Sequence, residues 1–311
     1  NRRVACSGRV EKSVLDVLIE NSSLRLERQP VDQDEKKTSR KPAATGNEST
    51  MSDIFFPDDT YASPSFEGSP PFFPSLRFYP RLAAILYREG AKAKTGNYTG
   101  ADWAQASIDV LRALEDCGVR TEVSGMDVLN DPAPCVFIAN HMSTLETFVL
   151  PCLIQPRKDL TFVVKRSLLT FPGLGPVLSS RRPVAVNRVN PREDLTTVLE
   201  EGAKRLAEGT SIIVFPQSTR SSGLDLAVFN SIGVKLARRA GVPVVPLALR
   251  TDAWGTGSFI KDLGRIHPSI PVRFAFGESF PISGNGKEEH KRVCDFIAAK
   301  LLEWQVPQLP A

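Results

Sequence analysis

Short apolar runs alternate with stretches of helical spacing along most of this chain, and that alternation constrains the fold more than any other feature. The runs occupy residues 135–139, 160–164, 184–186, 211–215, 244–249 and 272–276. They are rich in Val, Ile, Leu and Phe and carry no polar alternation. A strand that is apolar at every position is covered on both faces, as in a parallel sheet. Between the runs, residues 144–154, 192–207, 232–240 and 287–304 space their apolar side chains as amphipathic helices do. The expected fold is α/β: a single domain with a mostly parallel central sheet and helices on both faces, spanning 118–306.

Two segments precede that domain. Residues 71–117 read as amphipathic N-terminal helices. In the second of these, Trp103, Ile108, Leu111 and Leu114 fall on one face, and Gly118 is placed to stop the helix. Residues 1–70 read as a disordered leader and linker. The first fifty residues hold ten basic and eight acidic side chains with few apolar ones, too little to offset the entropy of ordering. The first methionine is Met51, so two readings stay open: translation starting there, or a genuine flexible leader. No secretory signal is evident.

Composition narrows the function classes. No apolar run approaches the ~18–20 residues of a membrane-spanning helix. Five scattered cysteines without a C-x-x-C pair speak against a disulfide framework or a zinc site and fit a reducing compartment. Between residues 156 and 192 there are eight basic side chains and one acidic, a cluster suited to phosphate or acidic lipid, or else a solvated face. Nucleic acid is not expected, because stacking aromatics and a reader motif are lacking. The segment from Phe72 to Arg88 mixes aromatics with arginines. It can lie in a headgroup plane, or pack on its own domain with the arginines reaching water.

Chemistry-bearing residues follow the strands, where α/β sheets bind ligands. His141 comes just after the run 135–139 and can act as a base. Glu146 lies five positions on, roughly 140° around a helix, so the two meet only if His141 sits in the turn before the helix. The bland alternative is Ser143-x-x-Glu146, a capping box, and spacing alone favours it. After the run 211–215 comes Pro216-Gln217-Ser218-Thr219-Arg220, a polar turn able to hold a phosphate, though taken alone an ordinary polar turn is the better reading. Pro172-Gly173 opens a segment that ends at Arg188, which leaves a strand end and either presents its guanidinium to a phosphate or is a plain surface arginine. The stretch Val242-Pro243-Val244-Val245-Pro246 has no reactive side chain and reads as structural.

In their order these four blocks resemble the glycerolipid acyltransferase family, the group that includes lysophosphatidate acyltransferases. That family shows H-x-x-x-x-D, P-x-x-G leading to an arginine, F-P-E-G-T-R and V-P-[IV]-[IV]-P. The resemblance covers about residues 130–250. It implies an O-acyltransferase of phospholipid biosynthesis or remodelling. Such an enzyme moves a fatty acyl group from acyl-CoA or acyl-carrier protein to a lysophospholipid hydroxyl. It implies His141 as general base, Glu146 in the orienting position, and Arg188, Gln217, Ser218, Thr219 and Arg220 around the acceptor phosphate. It further implies no metal and no cofactor beyond the thioester co-substrate, with peripheral attachment at the cytoplasmic face of a membrane. Three departures from the family pattern stand out. Glu146 replaces Asp, Gln217-Ser218 replace Glu-Gly, and Asn230-Ser231 stand where many members carry two lysines. Gln217 and Ser218 motivate an alternative, a non-catalytic lipid- or membrane-binding protein on the same fold. A thioester hydrolase ranks last, because a G-x-S-x-G elbow is missing.

Overall fold

A computed structural model of the chain describes residues 56, 58–66, 71–217, 219–221, 223–226, 228–257 and 262–306. The leader 1–50, Met51 and Ser218 lie outside the described residues. The elements run β1 (Tyr61–Ala62), α1 (Pro74–Lys94), α2 (Gly100–Glu115), β2 (Thr121–Ser124), β3 (Val136–Ala139), α3 (Leu145–Ile154), β4 (Leu160–Lys165), α4 (Leu174–Ser180), β5 (Val184–Val186), α5 (Pro191–Ala207), β6 (Ser211–Val214), α6 (Ile232–Ala240), β7 (Val244–Arg250), β8 (Val272–Phe276) and α7 (Lys287–Glu303).

The strands form one sheet in the order β1-β2-β8-β7-β3-β6-β4-β5. The run from β7 to β5 is parallel throughout. β8 pairs antiparallel with β7, β2 parallel with β8, and β1 antiparallel with β2. The sheet is therefore mixed, with its parallel part as expected. Along β3, Phe137 and Ala139 enter one core and Val136 and Ile138 the other. Every β3 side chain is buried, which explains why the sequence shows a continuous apolar run and no alternation. Helices α1, α2 and α3 cover the first core. α5, α6 and α7 cover the second.

Helix α1 packs on its own domain. Phe78, Leu82, Ile85 and Leu86 are buried. Gly90 lies so close to the turn before α4 that a Cβ there would stand 2.6 Å from the Gly173 carbonyl oxygen. Gly173 itself has φ +77°, a conformation natural to glycine. The Pro172-Gly173 turn thus serves to seat α1.

Residues 56–66, read from composition as linker, belong to the folded domain where they are described. Tyr61 and Ala62 pair with Val123 and Glu122, Phe56 is buried, and Arg157 donates to the Phe56 carbonyl at 2.7 Å. Composition hid this because a two-residue strand leaves almost no periodic signal.

The Tyr61 hydroxyl donates to Glu115 at 2.9 Å. Burial there pushes the Glu115 carboxyl up to about 7 from its ordinary 4.5. Between those two values the folded protein holds a proton that the unfolded chain has released. Stability therefore falls as pH rises through that window, and the cost persists above it. Glu115→Gln keeps an acceptor for Tyr61 and removes the titration. We expect it to stabilise the protein at about pH 8 by up to ~3 kcal/mol and to make no difference near pH 4. Calorimetric melting points across that range decide it, and a constant offset between the two proteins would refute the titration.

Candidate active site

Because β3, β4, β5, β6 and β7 are parallel, their carboxyl ends share one edge of the sheet. The expected site residues that fall among the described residues lie along it. His141 lies in the turn between β3 and α3, before the helix begins. The turn is fixed from several sides. Asn140, buried at the end of β3, donates to the Leu249 carbonyl and accepts from the Leu249 amide, both at 2.8 Å. These two bonds continue the β3–β7 pairing after the strand ladder ends. The His141 amide donates to Gln217 Oε1 at 2.8 Å, and the His141 carbonyl accepts from the Ser221 amide at 2.9 Å.

The two readings of Glu146 both hold, one for each oxygen. Oε2 accepts from Nδ1 of His141. Oε1 accepts from the amides of Met142 at 2.6 Å and Ser143 at 2.8 Å, and from the Thr251 hydroxyl at 2.6 Å. The glutamate half of the capping box is thus made. The serine half is not: Ser143 Oγ accepts from Leu145, two residues on. Glu146 is 0 % exposed and the His141 side chain 15 %. The imidazole stacks on Phe215, with ring centroids 4.4 Å apart and 22° between planes. With Nδ1–H donating to a carboxylate, Nε2 is the nitrogen that carries the lone pair. A fixed ring, a fixed tautomer and partial access to solvent are what a general base requires.

Arg220 follows β6. Its guanidinium donates to the Thr144 hydroxyl and to the Asp262 carboxylate, so it stands over the start of α3, three residues along the chain from His141. Asp262 is held in turn, its carbonyl accepting from the Trp254 indole N–H at 3.0 Å. Thr219 is exposed beside Arg220. Gln217 is buried, with its oxygen committed to the His141 amide. Asn230 ties this turn to the next helix, donating to the Pro216 carbonyl and accepting from the Ile232 amide at 3.0 Å. Two of the departures from the family pattern therefore act as struts of the turn.

Arg188 lies farther off. It leaves β5, three strand spacings from β3 in the sheet order, or roughly 14 Å. Its φ is +59°, and Asp194 accepts from the amides of Asn187 and Arg188 at 3.0 and 2.8 Å. The remaining basic cluster is largely committed to the fold. Arg157 and Lys158 donate to backbone carbonyls, Arg181 pairs with Asp159, and Arg182 pairs with Glu208.

Sequence reasoning missed Thr251 and Asp262. Neither sits in a recognisable spacing, since both reach the site only through the path of the chain after β7. Among the described residues no group of three or more His, Cys, Asp or Glu side chains could hold a metal ion. No helix among them is long and apolar enough to cross a membrane.

Comparison with known proteins bears on this geometry. A family model described as Acyltransferase matches residues 120–250. The 1-acyl-sn-glycerol-3-phosphate acyltransferase of Pseudomonas aeruginosa is 33 % identical over 179 residues, covering 57 % of this chain and 67 % of that protein. The chloroplastic 1-acyl-sn-glycerol-3-phosphate acyltransferase BAT2 of Brassica napus is 31 % identical over 177 residues, covering 57 % of this chain and 47 % of the plant protein. The match thus spans two thirds of the bacterial relative and about half of the plant one. Among solved structures, the 1-acyl-sn-glycerophosphate (LPA) acyltransferase PlsC of Thermotoga maritima superposes with a TM-score of 0.56. It is 21 % identical, and the match covers 76 % of this chain and 97 % of that one. At that identity the likeness is one of fold.

Proposed function

The chain belongs to the glycerolipid acyltransferase family, and from that membership we propose that it acylates the free hydroxyl of a 1-acylglycerol-3-phosphate-like lysophospholipid. The observation that supports this most is the His141–Glu146 pair at the carboxyl edge of the sheet. Nε2 of His141 takes the proton of the acceptor hydroxyl as its oxygen attacks the thioester carbonyl. The C–S bond then breaks, and the proton passes from the imidazolium to the departing thiolate. Glu146 holds the ring and faces the positive charge that forms on it. A thioester is already activated, so the protein has to supply a base, placement and charge complementarity. The donor is acyl-CoA or acyl-carrier protein. Arg220, with Ser218 and Thr219 preceding it in the chain, receives the acceptor phosphate, and Arg188 borders the same edge.

Peripheral attachment to a bilayer fits the outer face of α1 and the residues before it. Phe72, Phe73, Leu76 and Tyr87 are exposed there, and Arg77, Arg81 and Arg88 are exposed on the same segment. The opposite face of the helix is buried in the domain. Aromatics entering the headgroup layer beside arginines make a surface-lying helix.

One experiment tests both parts. The purified protein is given labelled acyl thioester and 1-acylglycerol-3-phosphate in anionic vesicles, and the diacyl product and the vesicle-bound fraction are measured together. We expect turnover, with binding that weakens as salt rises. Binding without any turnover would instead establish the non-catalytic lipid-binding alternative. That alternative accounts for the cap made by Oε1 of Glu146 but gives no purpose to Oε2 on the imidazole.

A further inference from the structure

The donors on Glu146 Oε1 differ in origin. Met142 and Ser143 are its near neighbours in the chain, and their amides would hold the carboxylate as a helix cap whether or not a histidine were present. Thr251 is remote in sequence. It is the first residue after β7, it is 0 % exposed, and its hydroxyl donates to the same oxygen at 2.6 Å. A glutamate has one more torsion than an aspartate. Held only by two local amides, its carboxylate can turn about the last torsion and carry Oε2 away from the ring. A third donor arriving from another strand removes that freedom. Its own position is fixed by the Asn140–Leu249 clamp, which locks the end of β7 to the end of β3.

We infer that Thr251 is a positioning residue for the general base, keeping Oε2 of Glu146 on Nδ1 of His141 so that Nε2 stays the proton acceptor. Thr251 acts through Glu146, and its role rests on His141 being the base. It also accounts for the longer acid at position 146, because the extra methylene brings Oε1 within reach of the end of β7.

Steady-state kinetics of a small set of variants test this. Thr251→Val has the same shape without the hydroxyl. Its kcat is expected to fall roughly tenfold to a hundredfold, as loss of a hydrogen bond to a buried charge implies, with the KM of both substrates unchanged. Thr251→Ser restores kcat. In a Glu146→Asp background, adding Thr251→Val costs less than it does in the parent, because the shorter acid no longer meets the hydroxyl. Should the valine variant not fold, Thr251→Ala takes its place. Parental kcat without the hydroxyl, failure of serine to restore it, or an undiminished loss in the Glu146→Asp background would each overturn the assignment. His141→Ala separates the two levels. If it keeps full activity, the base itself is misassigned. If it is inactive while Thr251→Val matches the parent, only the role of Thr251 fails.

Discussion

His141→Ala is expected to lower kcat for acyl transfer by ~10²–10⁴-fold, the usual contribution of a general base. The loop should survive the change, because Glu146 Oε1 keeps all three of its donors and Asn140 still clamps β3 to β7. Oε2 loses the imidazole donor, however, and a buried carboxylate oxygen left without one costs about 1–3 kcal/mol of stability. His141→Gln is the control for that loss. It can offer an N–H to Oε2 but cannot accept a proton, so it should be as inactive as the alanine variant and more stable. Initial rates with labelled thioester give the first quantity and thermal unfolding the second. A drop of less than about tenfold in both variants would remove the imidazole from the chemistry.

Arg220→Ala is expected to raise KM for a phosphate-bearing acceptor by roughly tenfold to a hundredfold, the worth of one or two charge-assisted hydrogen bonds. In the structure this guanidinium is held by Asp262 and Thr144. A substrate phosphate therefore competes with the Asp262 carboxylate for this guanidinium. Asp262→Asn weakens that competitor and should lower KM below the parental value. Neither change should affect a monoacylglycerol acceptor, which has no phosphate. Measuring KM for both acceptors across the three proteins checks the whole set. A parental KM in Arg220→Ala would move the phosphate elsewhere on this edge, with Arg188 as the next residue to test.

The parallel part of the sheet could be read from the chain because a strand buried on both faces is apolar at every position. β5, β8 and α6 fall on the residues read for them. β1 and β2 could not be read. β1 has two residues, and β2 alternates buried and exposed positions over only four. The His141 turn was legible as chemistry, but the division of Glu146 between cap and base was not. Spacing along a helix assumes that both residues lie on it, whereas His141 precedes it and reaches back. Gln217 shows a different limit. A polar residue in a polar turn reads as a ligand contact, yet its oxygen meets the backbone of another turn brought alongside by the β3–β6 pairing. Thr251 and Asp262 depend on where the chain goes after β7, which no local pattern encodes.

The reversal at β8 has a consequence of its own. β7 ends, and β8 begins, on the same edge of the sheet, so the stretch between Arg250 and Val272 departs and returns beside the acceptor turn. Trp254 and Ile266 anchor its two ends in the core, and the part between them can be lengthened, shortened or exchanged at an entropic cost that grows only slowly with its length. Grafting a different stretch between Trp254 and Ile266 offers a way to retune headgroup preference while leaving His141, Glu146 and Thr251 in place.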